Sequence, residues 1–410
     1  MNNPRDLSDT FAEHVAWTSD HPLKLVVDRA DGPYIFLADG SRIVDFISGI
    51  AVSSLGHGHP RVVEAVTAQA KRHMHVMVYG EFVQEPQVRL AELLARNLPP
   101  TLQVVYFTNS GTEANEGALK LSKKFTGRRK IVAFDGSFHG DTHGSLSVTG
   151  RSVYREPFAP LLSGVRFLPF GDSGALEAID DETACVITEP IQGEGGVNVP
   201  STAWMKALRD RCTATGSLLI FDEVQTGIGR TGTLFSFEGF GVVPDILTLA
   251  KALGGGMPLG AFISSAEIFR TFRHNPPLSH VTTCGGHPVS CAAAHAALTV
   301  LLEENLPERA FEIERRIRGH LIHPLISEVR GRGAMLGLQL RDAAVTERVV
   351  SRCLDQNVLL GWTLHSDRLV RIAPPLNIPW EALEEACEVI LGALEWARES
   401  GTEKVSGPAS

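Results

Sequence analysis

The chain has 410 residues, with 38 lysines and arginines against 47 aspartates and glutamates and a formal net charge of −9. This charge argues against a nucleic-acid or anionic-membrane partner. Hydrophobic residues make up 43% of the chain, yet no uninterrupted apolar run approaches the ~18 residues of a transmembrane helix. At ~100 to 200 residues per domain, the length predicts two or three domains with ample core.

The N-terminus and the cysteines bear on where the protein works. The first residues, MNNPRDLSDTFAEH, are polar and acidic and do not resemble a signal peptide, and residues 1–20 are expected to form a loosely held arm. The cysteines are scattered without a CxxC pair, which predicts buried thiols in a reducing compartment rather than disulfides or a zinc site. We expect a cytoplasmic protein without a bound metal. The cysteines are Cys185, Cys212, Cys284, Cys291, Cys353 and Cys387.

The first elements precede residue 100. The stretch YIFLADGSRIVDF, residues 34–46, predicts two short strands joined by an Asp-Gly turn. In GIAVSSLGHGHP, His57 and His59 form a His-x-His pair that could bind a metal. Without nearby cysteine or carboxylate ligands, ordering of the loop is the favoured interpretation. Helical patterns follow over residues 60–73 and 86–98.

Apolar runs of strand length recur between about residues 100 and 265, several of them separated by helix-length segments. This alternation predicts an α/β fold with parallel strands and helices on both faces. The runs are VVYF, KIVAF, VRFLPF, ACVITEP, LLIFDE, ILTLA and GAFISS. From about residue 301 the pattern changes to long helices and a few strands, which predicts a smaller α+β domain with Arg371 at a strand end.

These patterns predict four regions. Residues 1–55 would form an N-terminal arm and a segment that packs with the small domain. Residues 56–298 would form the large domain, and residues 299–398 the C-terminal small domain. The polar residues 399–410 would form a disordered tail.

Lys251 closes an apolar run and precedes the glycine-rich turn ALGGGMPLG. Such a run delivers its last side chain to the carboxyl edge of an α/β sheet, where these folds bind ligands. Burial lowers the ordinary amine pKa of about 10.4 and makes a lysine a usable nucleophile and base. Lys251 is therefore predicted to be catalytic, and a solvated lysine at a strand end is the alternative.

Two other strand ends carry groups that complement this lysine. Asp222 ends the apolar run LLIF, and NSGTEAN follows VVYF with small residues at a helix start, where free N–H groups attract a dianion. Pyridoxal phosphate needs a lysine for its aldehyde, a carboxylate for its pyridine nitrogen and a cradle for its phosphate. The three motifs together predict a pyridoxal-phosphate site, with Ser110, Gly111 and Thr112 in the cradle.

At these residues the chain resembles the class III pyridoxal-phosphate aminotransferases of fold type I, nearest the acetylornithine and ornithine aminotransferases. The resemblance covers roughly residues 20–398. It implies a large domain with a seven-stranded, mostly parallel sheet and a smaller α+β domain. The motifs are GIAVSSLGHGHP, NSGTEAN, GSFHGDTHG, EPIQGEGG, FDEVQTGIGRTG, LAKALGGGMPLGA, TTCGGHPVSCAAA and VRIAPPLNI.

The resemblance also implies a reaction. Pyridoxal 5′-phosphate would be the cofactor, and an amino group would pass from a primary amine, ornithine-like, acetylornithine-like or another ω-amine, to a keto acid, with 2-oxoglutarate expected. Lys251 would hold the cofactor aldehyde as a Schiff base. Its freed amine would then carry the proton between the donor carbon and the cofactor, while Asp222 stabilises the protonated pyridine.

Further roles are carried over from the family residue by residue. Phe138 would stack on the cofactor ring, with His139 beside it, and Val224 would pack behind the ring. Gln225 would donate a hydrogen bond to the phenolic oxygen of the cofactor. Thr283 would reach the phosphate of the neighbouring subunit's cofactor, which implies an obligate homodimer.

The implied substrate residues include departures from the family. Glu189 would be a movable carboxylate beside the substrate, and Arg371 would clamp the α-carboxylate of the keto acid. Arg371 and Glu189 are expected to form a switch, paired for one substrate and separated for the other. Thr282, predicted in the substrate pocket, replaces the usual serine, and Cys284 and His287 replace an aromatic and an asparagine.

Asp141 is the departure with the clearest chemical meaning. Close family members carry an arginine after FHG that binds a substrate carboxylate, whereas this chain has an aspartate there. We expect Asp141 to face the distal part of the donor and to favour a cationic, hydroxylated or amide tail over a free carboxylate. The alternative is that Asp141 caps the following turn.

Other enzyme classes compete with a transaminase. The stretch GIGRTG, residues 227–232, matches the dinucleotide fingerprint GxGxxG and would alone suggest a nicotinamide-dependent dehydrogenase. However, DEVQT separates it from the strand, and TLFSFEGFG after it has no helical period. A class III epimerase or decarboxylase, or a pyridoxal-phosphate binder that is not an enzyme, is a closer alternative.

Overall fold

The computed structural model describes residues 4–78, 80–363 and 366–402. The N-terminal region contains a helix, three strands and a left-handed turn: α1 (Pro4–His14), β1 (Val27–Asp31), β2 (Tyr34–Leu37), β3 (Arg42–Asp45) and α2 (Ser48–Ala51). Much of the predicted loose arm is therefore helical. The predicted strand pair is confirmed, because β2 and β3 are antiparallel, with Tyr34 opposite Val44.

The large domain is built on a seven-stranded sheet, as predicted. Its order is β4-β10-β9-β8-β7-β5-β6; β10 is antiparallel to both of its neighbours and the other pairs are parallel. All seven apolar runs form strands. The strands are β4 (Val104–Thr108), β5 (Lys130–Phe134), β6 (Val165–Leu168), β7 (Thr183–Thr188), β8 (Leu218–Asp222), β9 (Ile246–Leu249) and β10 (Gly260–Ser264).

The helices of this region begin and end where the sequence signals place them. Ser110 caps α5 by accepting a hydrogen bond from the Glu113 N–H at 3.3 Å, and Gly127 ends the helix with φ +69°. The helices are α3 (Pro60–Arg72), α4 (Glu85–Arg96), α5 (Gly111–Thr126), α6 (His143–Ser147), α7 (Ser152–Arg155), α8 (Thr202–Thr215), α9 (Ala266–Arg270) and α10 (Pro288–Glu303).

The C-terminal region is the predicted smaller α+β unit. A four-stranded sheet of order β11-β12-β15-β14 is antiparallel at every pairing, and Arg371 on β15 lies opposite Gly337 and Gly361. The elements are α11 (Leu306–His320), β11 (Ile326–Arg332), β12 (Met335–Leu340), α12 (Ala343–Asp355), β13 (Val358–Leu359), β14 (Gly361–Thr363), β15 (Ser366–Ile372) and α13 (Trp380–Thr402).

The N-terminal strands and a strand of the C-terminal region meet in one small sheet, of order β1-β2-β3-β13. β13 pairs with β3 in parallel, with Val358 opposite Val44, so the N-terminal segment packs against the C-terminal unit. At the C-terminus, α13 continues to Thr402, so residues 399–402 are helical although the tail prediction includes them. The rest of the predicted tail, residues 403–410, lies outside the described residues.

Burial of the strands explains why the strands of the large sheet could be predicted from the sequence. Every residue of β7, β8, β9 and β10 is buried, because the sheet is covered on both faces.

Five of the six cysteines are buried and Cys284 is exposed, and all six are free thiols. None of the described helices has the length and apolar character needed to cross a bilayer.

Candidate active site

A cavity of about 500 Å³ opens at the carboxyl ends of the parallel strands. The turns after β4, β5, β7, β8 and β9 bring side chains to it from distant parts of the sequence. Open α/β sheets bind ligands at this edge. The predicted residues that line the cavity are Ser110, Gly111, Thr112, Phe138, His139, Asp141, Glu189, Asp222, Val224, Gln225 and Lys251.

The N-terminus of α5 forms one end of the cavity. The first N–H groups of this helix have no partner within it, so they and the helix dipole favour an anion. Gly111 is the first residue of the helix. A Cβ there would lie 2.8 Å from the methyl carbons of Val224, so only glycine permits this close approach.

Asp222 is buried at the end of β8 and is held by three donors. Its Oδ2 accepts a hydrogen bond from Asn115 Nδ2 at 2.8 Å and lies 2.7 Å from His139 Nδ1, while its Oδ1 accepts the Val224 N–H at 3.0 Å. Thr248 fixes Asn115 in turn, because its hydroxyl donates to Asn115 Oδ1 at 2.8 Å. Asn115 lies in the motif NSGTEAN, but sequence reasoning did not assign it this role.

Lys251 follows β9 and adopts a left-handed conformation, with φ +48°. Its side chain lines the cavity, and its amine makes no hydrogen bond or ion pair with any residue that the structure describes. Burial lowers the pKa of Lys251, and nearby Glu194 opposes this effect. The amine is therefore free for a ligand and more easily deprotonated than a surface lysine.

Glu189 is buried at the end of β7, where its carboxylate accepts two backbone hydrogen bonds. Its Oε1 accepts from the Gly193 N–H at 2.9 Å and its Oε2 from the Phe138 N–H at 3.2 Å. Burial raises the pKa of Glu189 to about 7. The structure thus ties Glu189 to the backbone beside Phe138.

Arg371 is not paired with Glu189 in this structure. Arg371 is buried and forms its ion pair with Glu194, five residues further along the same loop. Gln225 completes the group: its Nε2 donates to Glu194 Oε1 at 3.4 Å, and its Oε1 accepts from Arg371 Nη1 at 3.4 Å. Both glutamates belong to the motif EPIQGEGG, and their spacing in the sequence does not indicate which of them pairs with Arg371.

Asp141 does not cap the following turn in this structure. The N–H groups of Gly144 and Ser145 at the start of α6 donate to Glu116 Oε1 at 2.8 and 3.0 Å, so Glu116 occupies the capping position. The Asp141 carboxylate is exposed, lines the cavity and makes no hydrogen bond or ion pair with the described part of the chain. Asp141 is therefore available to a ligand.

Thr282 and Thr283 do not line the cavity of their own chain. The Thr282 hydroxyl accepts the Gly285 N–H at 3.0 Å and lies 3.5 Å from Asn109 Nδ2, so it orders the turn before α10. Thr283 is exposed.

Among the described residues, no group of three histidine, cysteine, aspartate or glutamate side chains is placed to hold a metal ion. His57 instead contacts Asp45 at 3.0 Å, in keeping with the predicted ordering role.

The glycines of residues 227–232 pack against protein and do not open a dinucleotide site. A Cβ at Gly232 would lie 2.2 Å from the ring of Phe311, and a Cβ at Gly229 would lie 3.1 Å from Leu376. The next regular element is a short 3₁₀ helix, Ser236–Phe240, rather than the long helix that the fingerprint requires. The dehydrogenase alternative is therefore rejected.

The fold and the cavity together define an α/β transferase, with a lysine amine, a buried carboxylate and a helix N-terminus at one sheet edge. The family model described as aminotransferase class-III matches residues 15–394. The chain belongs to the class III aminotransferases, and it is an aminotransferase.

Known proteins resemble the chain over nearly its whole length. It is 44% identical over 395 residues to the acetylornithine aminotransferase of Methanopyrus kandleri, with 95% of this chain and 98% of that protein covered. An ornithine aminotransferase from Toxoplasma gondii, whose structure has partial occupancy of PLP at its active site, superimposes with a TM-score of 0.90 at 30% identity, covering 97% and 95% of the two chains. An (S)-enantioselective omega-transaminase from Thermomicrobium roseum has the same TM-score and identity, covering 97% and 99%.

Proposed function

We propose that this aminotransferase binds pyridoxal 5′-phosphate in the cavity and moves an amino group from a primary amine to a keto acid. The observation that carries the proposal is that the amine of Lys251 has no partner in the described chain and lines the same cavity as Asp222 and the α5 N-terminus. These groups fit the aldehyde, the pyridine nitrogen and the phosphate of the cofactor. The bound cofactor would supply an electron sink for the carbon that loses its proton.

The side chains around the cavity have separate tasks in this proposal. Ser110, Gly111 and Thr112 would hold the phosphate at the helix N-terminus. Asn115 and His139 fix the Asp222 carboxylate, which would keep a ring nitrogen protonated. Lys251, with its lowered pKa, would accept and return the proton of the donor carbon at its Nζ atom.

The walls of the cavity support a flat ring between two apolar surfaces. Phe138 and Val224 both line it, and the Val224 methyl groups are held against Gly111. Gln225 lies between Glu194 and the Lys251 side of the cavity, in reach of a polar group on the ring edge. The proposed contacts thus come from four separate strand ends, which also exclude water from the ring faces.

Arg371 is the proposed clamp for the α-carboxylate of the keto acid. The guanidinium is already paired with Glu194 and is adjacent to Gln225. A substrate carboxylate would replace Glu194 as its partner, whereas an amine end without a carboxylate would leave the pair intact. We propose 2-oxoglutarate as the acceptor, to be compared with pyruvate, because Arg371 offers a bidentate site for one carboxylate. The negative charge of Asp141 works against a second carboxylate near it, so the comparison with pyruvate tests where the distal end of the acceptor lies.

Asp141 is the proposed selector of the donor. Its carboxylate faces the cavity and carries no partner, so a donor with a distal cation, hydroxyl or amide would gain an interaction there. A distal carboxylate would meet a like charge instead. Asp141 therefore favours donors that lack a free distal carboxylate. This preference is proposed for this chain although it is similar over most of its length to a protein named acetylornithine aminotransferase.

Stopped-flow half-reactions with a panel of primary amines test the donor and the reaction together. Asp141→Arg should speed donors with a distal carboxylate by about tenfold and slow donors with a distal amine by a similar factor, because the sign of the contact is reversed. Asp141→Asn is the matched variant of similar size. It should make the rates for donors with a distal carboxylate and donors with a distal amine more nearly equal. An unchanged ranking of donors in Asp141→Arg would remove Asp141 from substrate selection. Absence of amino transfer in the unmodified enzyme would contradict the reaction itself.

We further propose a homodimer in which Thr283 reaches the cavity of the neighbouring subunit. Thr283 is exposed and does not line the cavity of its own chain. Several apolar side chains are exposed in two chain segments, residues 74–83 and 278–281, and the stacked rings of His75 and His287, 5.7 Å apart, join the first segment to the residues that follow the second. Apolar surface that is exposed in the single chain is typical of a protein interface. The exposed side chains are Met74, Phe82, Val83, Leu278 and Val281.

The subunit arrangement is tested by mass in solution. Light scattering should give twice the chain mass of 44.3 kDa. Val83→Glu places a charge on a side chain that is 92% exposed in the single chain, and it should shift the protein toward monomer and lower cofactor affinity in parallel. Val153→Glu, at an exposed valine on another face, is the control and should remain dimeric. A fully active monomer would contradict the proposal.

A further inference from the structure

The loop after β8 joins the two domains. Residues 230–232 lie backbone to backbone against the turn between β11 and β12: the Ala334 N–H donates to the Arg230 carbonyl at 2.9 Å. A Cβ at Gly333 would lie 2.6 Å from the Thr231 carbonyl carbon and 2.8 Å from the Arg230 carbonyl oxygen. The motif GIGRTG is therefore a contact surface for the small domain.

Arg230 is fully buried within this contact, and its guanidinium donates to three separate segments. Nη1 donates to the carbonyls of Ala334 at 3.2 Å and Pro374 at 2.5 Å, and Nη2 donates to the Ser54 hydroxyl at 3.0 Å. No carboxylate of the described residues lies within salt-bridge distance of it, although Asp45 is close enough to favour its charge. Burial lowers the pKa of Arg230 to about 10, so it is still cationic at neutral pH.

A buried cation without an ion-pair partner is costly, because neutral acceptors replace only part of its hydration. An apolar side chain of similar volume would fill the same space without that cost. The planar guanidinium differs in that it fixes several acceptors in defined directions at once. The geometry at Arg230 thus indicates that its role is to position the three segments rather than to add to the stability of the fold.

The segments that Arg230 holds are those that flank Arg371. Pro374 follows Arg371 by three residues, and Ala334 precedes β12, whose Gly337 lies opposite Arg371. Ser54 also binds this region, because its carbonyl accepts the Leu376 N–H at 2.8 Å. Gln225, which contacts Arg371 directly, belongs to the same β8 loop as Arg230. One loop therefore sets the position of Arg371 from two sides.

We propose that Arg230 is a positioning residue for the keto-acid half-reaction: it fixes the small domain so that the guanidinium of Arg371 meets the carboxylate of the acceptor. The inference rests on the proposed role of Arg371 as the acceptor clamp. Arg230 does not touch the cavity, and it acts through the backbone of β12 and of the segment after β15.

The test compares Arg230→Lys, which keeps the charge but loses the planar set of donors, with the unmodified enzyme. In stopped-flow half-reactions, kcat/KM for the keto acid should fall by about tenfold or more, since small misplacements of a clamp reduce rates strongly. The half-reaction with an amine that lacks an α-carboxylate should change by less than about threefold, because its end leaves the Arg371–Glu194 pair intact. Calorimetry with glutarate, an unreactive dicarboxylate, should show weaker binding in the variant.

Coupling between the two arginines gives the decisive outcome. In an Arg371→Ala background, which should itself impair the keto-acid half-reaction, Arg230→Lys should cause little further loss, because the group that it positions is absent. Independent, multiplying losses would overturn the proposal, as would equal losses in both half-reactions. If Arg371→Ala leaves the keto-acid half-reaction intact, the proposed clamp fails, and this result is separate from any effect of Arg230.

Two further variants keep the result interpretable. Ser54→Ala removes one acceptor and leaves Arg230 in place, so it should reproduce the selective loss in smaller measure if Arg230→Lys folds poorly. Arg332→Lys is the matched control, because the Arg332 guanidinium also lies between the two domains, 5.9 Å from the Phe240 ring and 5.7 Å from the Phe311 ring, but among the described residues it makes no hydrogen bond or ion pair with the segments that hold Arg371. It should leave the ratio of the two half-reactions unchanged. A selective loss in Arg332→Lys equal to that in Arg230→Lys would overturn the positioning role.

Discussion

Replacement of Lys251 by alanine should abolish amino transfer in both half-reactions while leaving the protein folded. The loss should reach about 10⁴-fold or more, since the variant would lose both the proposed covalent attachment and the proposed proton carrier. The Lys251 side chain makes no hydrogen bond or ion pair in the described chain, so its removal breaks no structural contact of that kind. Cofactor should still bind reversibly through the α5 N-terminus and Asp222.

Peptide mapping after borohydride treatment gives the second measurement for Lys251. The reduced adduct should lie on Lys251 alone, and Lys251→Ala should show none. Lys120→Ala is the control, because the Lys120 amine lies at the surface, 3.0 Å from His280 Nδ1. Recovery of the adduct on Lys120 or Lys123 would contradict the assignment of the catalytic lysine.

Asp222→Asn should retain the fold and lose most of the rate. The change removes the charge that would keep the ring nitrogen protonated but preserves the size of the side chain. Loss of one preorganised electrostatic partner in a buried site costs about 10²- to 10³-fold in kcat. Asn115 and His139 would remain beside the new amide, so the effect should appear in kcat and in the cofactor absorbance rather than in unfolding temperature alone.

The neighbouring carboxylate provides the matched control for Asp222. Glu223 is equally buried, but it accepts the Ser236 and Phe237 N–H groups at 2.6 and 2.7 Å, away from the cavity. Burial raises the pKa of Glu223 to about 8, so much of it is neutral at pH 7 and little charge is lost on substitution. Glu223→Gln should lower stability and leave kcat per folded molecule nearly unchanged. Near-normal turnover in Asp222→Asn would show that another group protonates the ring.

The fold was readable because its strands are buried on both faces. Strands such as β7 and β8 then appear as continuous apolar runs, and the polar residue that ends each run marks the ligand edge. Lys251, Asp222 and the α5 N-terminus could be predicted for this reason, since each closes or follows such a run. Within the large sheet β10 is the one antiparallel strand. It could be recognised from its sequence as a strand, but its direction could not be predicted, because direction depends on which strands it pairs with.

The partners of the residues at the substrate end of the cavity could not be predicted, because they depend on tertiary contacts that the spacing of residues in the sequence does not determine. The choice between Glu189 and Glu194 follows from the path of the loop after β7, where Gly193 packs so closely that a Cβ would lie 2.7 Å from Gln225. The role of Asp141 depended on Glu116, a residue of a different helix that caps α6 in its place. Both features depend on tertiary contacts: Arg371 pairs with Glu194 rather than with the Glu189 that the resemblance suggested, and Glu116 accepts the hydrogen bonds at the start of α6.

The order of strands in the large sheet has a consequence for how the enzyme matures. The lysine turn and the α5 N-terminus are far apart in sequence, and within the sheet they are joined when β10 pairs with β4, where Gly260 lies opposite Thr108. Such long-range closure is entropically slow and late in folding. The proposed cofactor would engage both ends in chains that have completed this pairing, and it would stabilise those chains selectively by mass action. Cofactor concentration would then affect the fraction of folded protein, independently of its effect on catalysis.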